Sequence, residues 1–164
     1  MEHKQLLTVF NSLPVGIGFF TADGTLVRCN ESFCRIFGAD SQTLLGNKLN
    51  INENSVVPDV VKEAVRRCVP VQMSFLYDFD KQRTDKRFFS TRTRTCYLKC
   101  NGNPLYDNDG KFVNYIFIFE DITETVKSEE VLRQSRRKTE LAMKAANIMF
   151  WEFDAVPKLF YSDN

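Results

Sequence analysis

The sequence predicts an α+β domain in which an antiparallel sheet carries its helices on one face. Three observations predict it. Strand-like runs stand at 15–21, 25–29, 71–79, 88–101 and 111–120, marked by branched and aromatic residues or by period-two alternation. Asp23-Gly24 and Asp109-Gly110 sit between adjacent runs, and Asp-Gly suits the positive-φ positions of hairpin turns. The helical patterns are gathered ahead of the first strand and between the second and third, so they must cover one sheet face instead of alternating with strands. Such an arrangement leaves a space between the layers where a ligand could sit.

Leu6, Val9, Phe10 and Leu13 fall at helical spacing, and Pro14 stops that helix. Asn30 is a good N-cap for a helix over Glu31–Phe37, with Phe33, Ile36 and Phe37 as its apolar stripe and Gly38 at its end. Ser41 is expected to cap a short turn holding Leu44 and Leu45, closed by Gly46; 47–56 reads as loop. Pro58 opens an amphipathic helix with Asp59 in its first turn, a stripe of Val57, Val61, Ala64, Val65 and Cys68, and Pro70 as its stop. Residues 80–87 read as a charged loop before a long strand over 88–101. From Glu124 to Ala146 there is no Gly or Pro, and a helix of that length extends about 35 Å. Asp121 followed by Glu124 fits a capping-box start. Ile122, Val126, Val131, Leu132, Leu141 and Met143 keep a heptad poorly, so this helix is not a self-sufficient coiled coil.

Composition narrows the function classes. The chain has 164 residues and a net charge of +1 from 22 basic and 21 acidic side chains, which excludes bulk electrostatic binding to nucleic acid or membrane. One His excludes a His-based metal cluster, and the spacing of the five Cys suits no zinc knuckle, so no metal site is expected and the thiols read as small buried hydrophobes. An odd Cys count, no charged-then-apolar leader and no apolar run near the ~20 residues that span a bilayer predict a cytoplasmic chain without membrane contact. No Gly-x-Ser-x-Gly or phosphate-binding loop occurs, and the paired acids Glu129 and Glu130 lie on an exposed helix, so no catalytic residue is expected. Lys81, Arg83, Lys86, Arg87, Arg92, Arg94 and Lys99 form a local basic region. It could bind a carboxylate, a phosphate or nucleic acid, but a charged edge that prevents strand pairing is the favoured reading.

The chain has 15 Phe. The excess reads either as a dedicated apolar pocket or as dense packing with aromatics on the outer sheet face at a dimer interface. Adjacent Phe19-Phe20 and Phe88-Phe89 must aim at both faces of their strands, which favours the second reading and an outer face covered by the N-terminal helix or a partner subunit.

Taken in order, Leu13-Pro-Val-Gly-Ile17, Ala22-Asp-Gly24, Leu26-Val-Arg-Cys-Asn30, Phe33 through Gly38, Leu44-Leu-Gly46, Asp107-Asn-Asp-Gly110 and Asp121-Ile-Thr-Glu124 resemble a PAS sensor domain over roughly residues 5–125. The resemblance implies a five-stranded antiparallel sheet in order 2-1-5-4-3. It implies an N-terminal cap helix over 1–13, the PAS domain over 14–122, and a signalling or linker helix over 123–145. Leu141 through Asp154 resembles the entry to a second PAS domain, so 146–164 is expected to be its truncated start within a longer multi-PAS protein. The pocket implied between sheet and helices has Ile17, Phe19, Phe33, Phe37, Leu45, Val61, Val65, Met73 and Phe75 as candidate lining, and Asp121, Ile122 and Thr123 as signal-coupling residues.

Flavin-adduct members of the family carry a Cys motif where this chain reads Gly46-Asn-Lys-Leu-Asn-Ile-Asn52, and haem members use a His on the longer helix, whereas His3 lies ahead of the domain. No cofactor is therefore expected, though a small apolar ligand has room in this reading. The implied function is a sensory and dimerisation module, itself no enzyme, relaying a signal through its C-terminal helix to the output domain of a bacterial two-component histidine kinase. A homodimer is the expected state. The alternatives are a ligand-free structural dimerisation or protein-interaction module, or the input to a diguanylate cyclase or transcription regulator.

Overall fold

A computed structural model describes residues 2–84 and 90–145. The elements run α1 (Glu2–Ser12), β1 (Gly16–Phe20), β2 (Leu26–Cys29), α2 (Glu31–Phe37), α3 (Ser41–Gly46), α4 (Asp59–Arg67), β3 (Val71–Asp78), α5 (Phe79–Thr84), β4 (Thr95–Tyr106), β5 (Phe112–Asp121) and α6 (Thr123–Ala145). The strands pair antiparallel in the order β2-β1-β5-β4-β3, the order the resemblance implies. Two compact units divide the chain at 126/127.

The sheet's two faces follow from strict alternation. On β5, Tyr115, Phe117 and Phe119 are buried against the helices, while Ile116 and Ile118 are half-buried on the opposite side. Phe20, Phe33, Phe37, Tyr77 and Phe79 complete an aromatic core whose rings meet mostly tilted or edge-on, such as Phe20 with Phe117 at 5.5 Å and Phe37 with Phe119 at 5.3 Å. Contacts of this kind contribute about 0.5–1.5 kcal/mol each beyond the area they bury. Gly102 on β4 makes room for them: a Cβ there would come within 2.4 Å of the Phe117 ring.

Phe19 and Phe20 divide as their adjacency predicts. Phe20 enters the core, and Phe19 lies on the other face with the Phe10 ring of α1 at 6.0 Å. Phe88 and Phe89 lie outside the described residues.

Asn30 ties α1 to the rest. Its Oδ1 accepts from the N–H groups of Ile17 at 2.8 Å and Phe33 at 2.9 Å, and its Nδ2 donates to the carbonyls of Phe10 and Val15, each at 3.0 Å. The side chain is fully buried with both of its polar atoms satisfied, so it is at once the N-cap of α2 and the bolt of the first strand.

The structure corrects the sequence reading at several boundaries. Asp40, not Ser41, caps α3, accepting from the Thr43 N–H at 2.7 Å. The expected charged loop begins as a helix, because the Asp78 carboxylate accepts from the N–H groups of Asp80 and Lys81 and starts α5. The long strand begins at Thr95, after Arg94, whose φ of 68° is a left-handed backbone that breaks the extended run; the expected start at Phe88 lies outside the described residues. It then continues to Tyr106 through Pro104. The β3 pairing ends at Val71 with Gly102, so the missing Pro104 N–H faces no ladder on that side. The α4 helix ends at Cys68, in the left-handed conformation, before Pro70 is reached. Asp121 accepts from the N–H of Thr123, two residues on, where α6 starts. Within α6 no residue is buried, and Val131, Leu132 and Leu141 are exposed. The expected start of a second PAS domain lies outside the described residues.

Candidate functional site

Among the described residues the space between sheet and helices is narrow. A cavity of about 20 Å³ lies among Phe20, Phe33, Phe37, Val61, Phe75 and Tyr77, enough for about one water molecule. Of the candidate lining, Phe33, Phe37, Val61 and Phe75 meet there. Val65 is fully buried in the surrounding core, and Met73 packs half-buried against it. Leu45 is exposed on α3. Ile17 and Phe19 occupy the opposite sheet face, because they pair across the ladder with Ile118 and Ile116 and not with the inward Phe residues.

One wall of the cavity is polar. Asn54 Nδ2 donates to Tyr77 Oη at 3.0 Å, and Tyr77 Oη donates to Gln82 Oε1 at 2.6 Å. The Asn54 Oδ1 accepts from the Val56 N–H at 3.0 Å. All three side chains are buried. The result is a neutral hydrogen-bonded relay beside an apolar space, suited to a water or a small uncharged polar group. Sequence reasoning missed these residues. The parity of Tyr77 with Met73 and Phe75 along β3 could have found the first; Gln82 was hidden by the loop reading of 80–87.

A second constellation sits where the domain ends. Arg92 Nη1 lies 2.9 Å from Asp121 Oδ2 and donates to the Ile36 carbonyl at 3.0 Å, while its guanidinium stacks on Phe79 at 5.1 Å. The Ser90 hydroxyl donates to the Phe37 carbonyl at 2.7 Å, and Thr91 donates through its N–H and its hydroxyl to the Gly38 carbonyl. Residues 90–92 thus close the open carbonyl end of α2, with a cation at the negative end of its dipole. Gly38 is required there: it has φ 63°, and a Cβ would come within 2.8 Å of the Arg92 backbone.

From Asp121 the contacts pass to the start of α6. Thr123 donates to Asp121 Oδ1 from its hydroxyl at 2.6 Å and its N–H at 3.1 Å. The Thr123 hydroxyl accepts from the Tyr97 N–H at 2.9 Å, and Ile122 N–H donates to the Tyr97 carbonyl at 2.9 Å. Burial alone would raise the Asp121 carboxyl, but the bonds from Thr123 and the Arg92 guanidinium outweigh it and hold the group below its ordinary value. All three signal-coupling candidates therefore meet in one clamp. Arg92 completes it, though the sequence placed it in a basic strand edge. Two members of that basic region face carboxylates: Arg92 pairs with Asp121, and Lys99 lies 3.9 Å from Glu120. Lys86 and Arg87 lie outside the described residues. Among the described residues no helix is long and apolar enough to cross a membrane.

Residues 10–127 match the PAS fold family, and the chain belongs to it. Over 149 residues it is 22% identical to the probable diguanylate cyclase DgcE of Escherichia coli (strain K12), covering 91% of this chain and 13% of that protein. Among solved structures, a PAS domain from Colwellia psychrerythraea is similar with a TM-score of 0.57 and 15% identity, covering 76% of this chain and 99% of the other. A PAS domain from a two-component sensor histidine kinase is similar with a TM-score of 0.51 and 13% identity, covering 73% and 96%. The module is a PAS sensory domain.

Proposed function

We propose that this PAS domain passes a change at its aromatic interior to the start of α6 through Arg92, and that α6 relays it to an output domain, that of a two-component histidine kinase. The observation that carries the reading is the bridging position of Arg92. It holds the C-terminal carbonyl of α2, whose Phe33 and Phe37 line the cavity, and also Asp121 at the head of α6. A movement of α2 therefore shifts an ion pair whose other partner is bonded to Thr123. The small cavity and its neutral relay fit a small ligand, or a change of packing with no cofactor, and no residue of the module is assigned a catalytic role. The exposed apolar residues Leu6 and Val9 of α1 support a homodimer, and five free thiols suit a cytoplasmic setting.

The similarity to a probable diguanylate cyclase supports a second reading, in which the output is such a cyclase. Asp121→Ala in the full-length parent is expected to uncouple stimulus from output while the domain keeps its fold. Unchanged signalling in a folded Asp121→Ala variant would reject the relay. Assaying autophosphorylation and cyclic dinucleotide synthesis in the same parent separates the two outputs. A native mass measurement that finds no co-purified molecule, together with signalling that survives Asp121→Ala, would leave a structural dimerisation module.

A further inference from the structure

The sulfurs of Cys29 and Cys34 stand 3.8 Å apart, and both residues line an open groove with Asn11 at the end of α1, the start of α2 and Asp40 and Ser41 at the start of α3. Both residues are half-buried and carry free thiols. The other cysteines are placed differently: Cys96 and Cys100 are buried in the core on β4, and Cys68 ends α4. Cys29 precedes the N-cap Asn30, and Cys34 is the fourth residue of α2. These are the two positions that a hydrophobic staple joins at a helix entrance, so packing alone accounts for their contact but not for the choice of two thiols.

We propose that Cys29 and Cys34 form a two-thiolate site for a monovalent thiophilic metal ion of the Cu(I) class. Soft thiolate pairs select such ions. Among the described residues no group of three or more His, Cys, Asp and Glu side chains converges to hold a metal. That disfavours zinc, which takes four ligands. Both sulfurs are held by fixed backbone: Cys29 pairs with Gly18 across the hairpin, and the Cys34 N–H donates to the Asn30 carbonyl at 3.2 Å. The groove side leaves an entry path. Burial, and the neighbouring Cys34, push the Cys29 thiol up to about 12, and burial also raises Cys34. Binding exchanges protons for metal: one M⁺ and two thiols yield one bis-thiolate complex of net charge −1 and two released H⁺. Linear coordination places the metal between the two sulfurs, so the staple would widen from its present 3.8 Å. The widening acts beside Asn30, which holds α1, β1 and α2 together.

The test is titration of the whole chain with Cu(I) against a chromogenic chelator. One equivalent is expected to bind, and affinity is expected to fall by at least about 100-fold in Cys29→Val and in Cys34→Val, beyond what loss of a supporting partner costs. Valine keeps the staple apolar, and Cys68→Ser is expected to bind as the parent does. In the unmutated chain, Cu(I) is expected to shield Cys29 and Cys34 together from alkylation while Cys68 stays reactive, and phenylarsine oxide is expected to bridge the same pair with loss of one water. Equal Cu(I) binding by parent and valine variants, unshielded alkylation of either thiol, or a preference for zinc would each overturn the proposal.

Discussion

Asn30 and Asp121 are both short polar side chains at the point where a strand gives way to a helix, and they are held in opposite ways. Asn30 is neutral and sealed from solvent, and its two polar atoms serve four backbone groups from α1, the α1–β1 link, β1 and α2. Asp121 is charged and its side chain is about a quarter exposed, with its partners drawn from one guanidinium and one hydroxyl residue. A buried amide with every bond made has no second arrangement of similar energy, so that joint is fixed. A partly exposed ion pair is backed by water, which can replace either partner at small cost. The domain thus places its rigid joint at the entrance of the core and its yielding one at the exit.

The largest expected effect breaks the first joint. Asn30→Ala leaves the N–H groups of Ile17 and Phe33 and the carbonyls of Phe10 and Val15 without their partner, and is expected to cost about 3 kcal/mol or more. The midpoint of urea unfolding checks this; a shift like that of an ordinary cap would show that water replaces the amide and that the two joints are alike. Arg92→Ala removes the Asp121 pair, the bond to Ile36 and the stack on Phe79, and is expected to cost about 1 kcal/mol. A double-mutant cycle with Asp121→Asn should return about 0.5–1 kcal/mol of coupling. A value near zero would mean that Arg92 acts on α2 alone.

Acidification sharpens the contrast. The Asp121 carboxyl lies below its ordinary value, so its contribution is complete above the unfolded value of about 4 and is lost as pH falls through the lower folded value. Asp23, Asp40, Glu63 and Glu130 are lowered too, so the informative quantity is a difference. The stability gap between the parent and Asp121→Asn is expected to hold from pH 7 to 5 and to narrow below about 4; a gap independent of pH would remove the charge from the account. The smallest effect concerns a third joint. Cys68 ends α4 with φ 53°, held by backbone and not by a polar side chain. Cys68→Gly is expected to stabilise the fold by about 0.5 kcal/mol, read as a rise in thermal midpoint.

Much of this molecule could be read in advance, for local reasons. Turns at Gly24 and Gly110, the caps at Asn30 and Gly38, and the alternation on β5 depend on residues a few positions apart, so periodicity and turn chemistry determine them. The sheet order came through the resemblance of those signals in sequence, and residue parity predicted that Phe19 and Phe20 would part. Tertiary structure decided the rest. How far the last long strand runs back from Asn101 turned on the left-handed Arg94, which alternation cannot reveal. Which apolar residues line the cavity depended on ladder register, and this separated Ile17 and Phe19 from Phe33 and Phe37. Gln82 reaches Tyr77 only because α5 forms, and Arg92 reaches Asp121 only because residues 90–92 fold back on α2. Pairs separated by tens of residues leave no periodic trace, because their contact is set by the path of the chain between them.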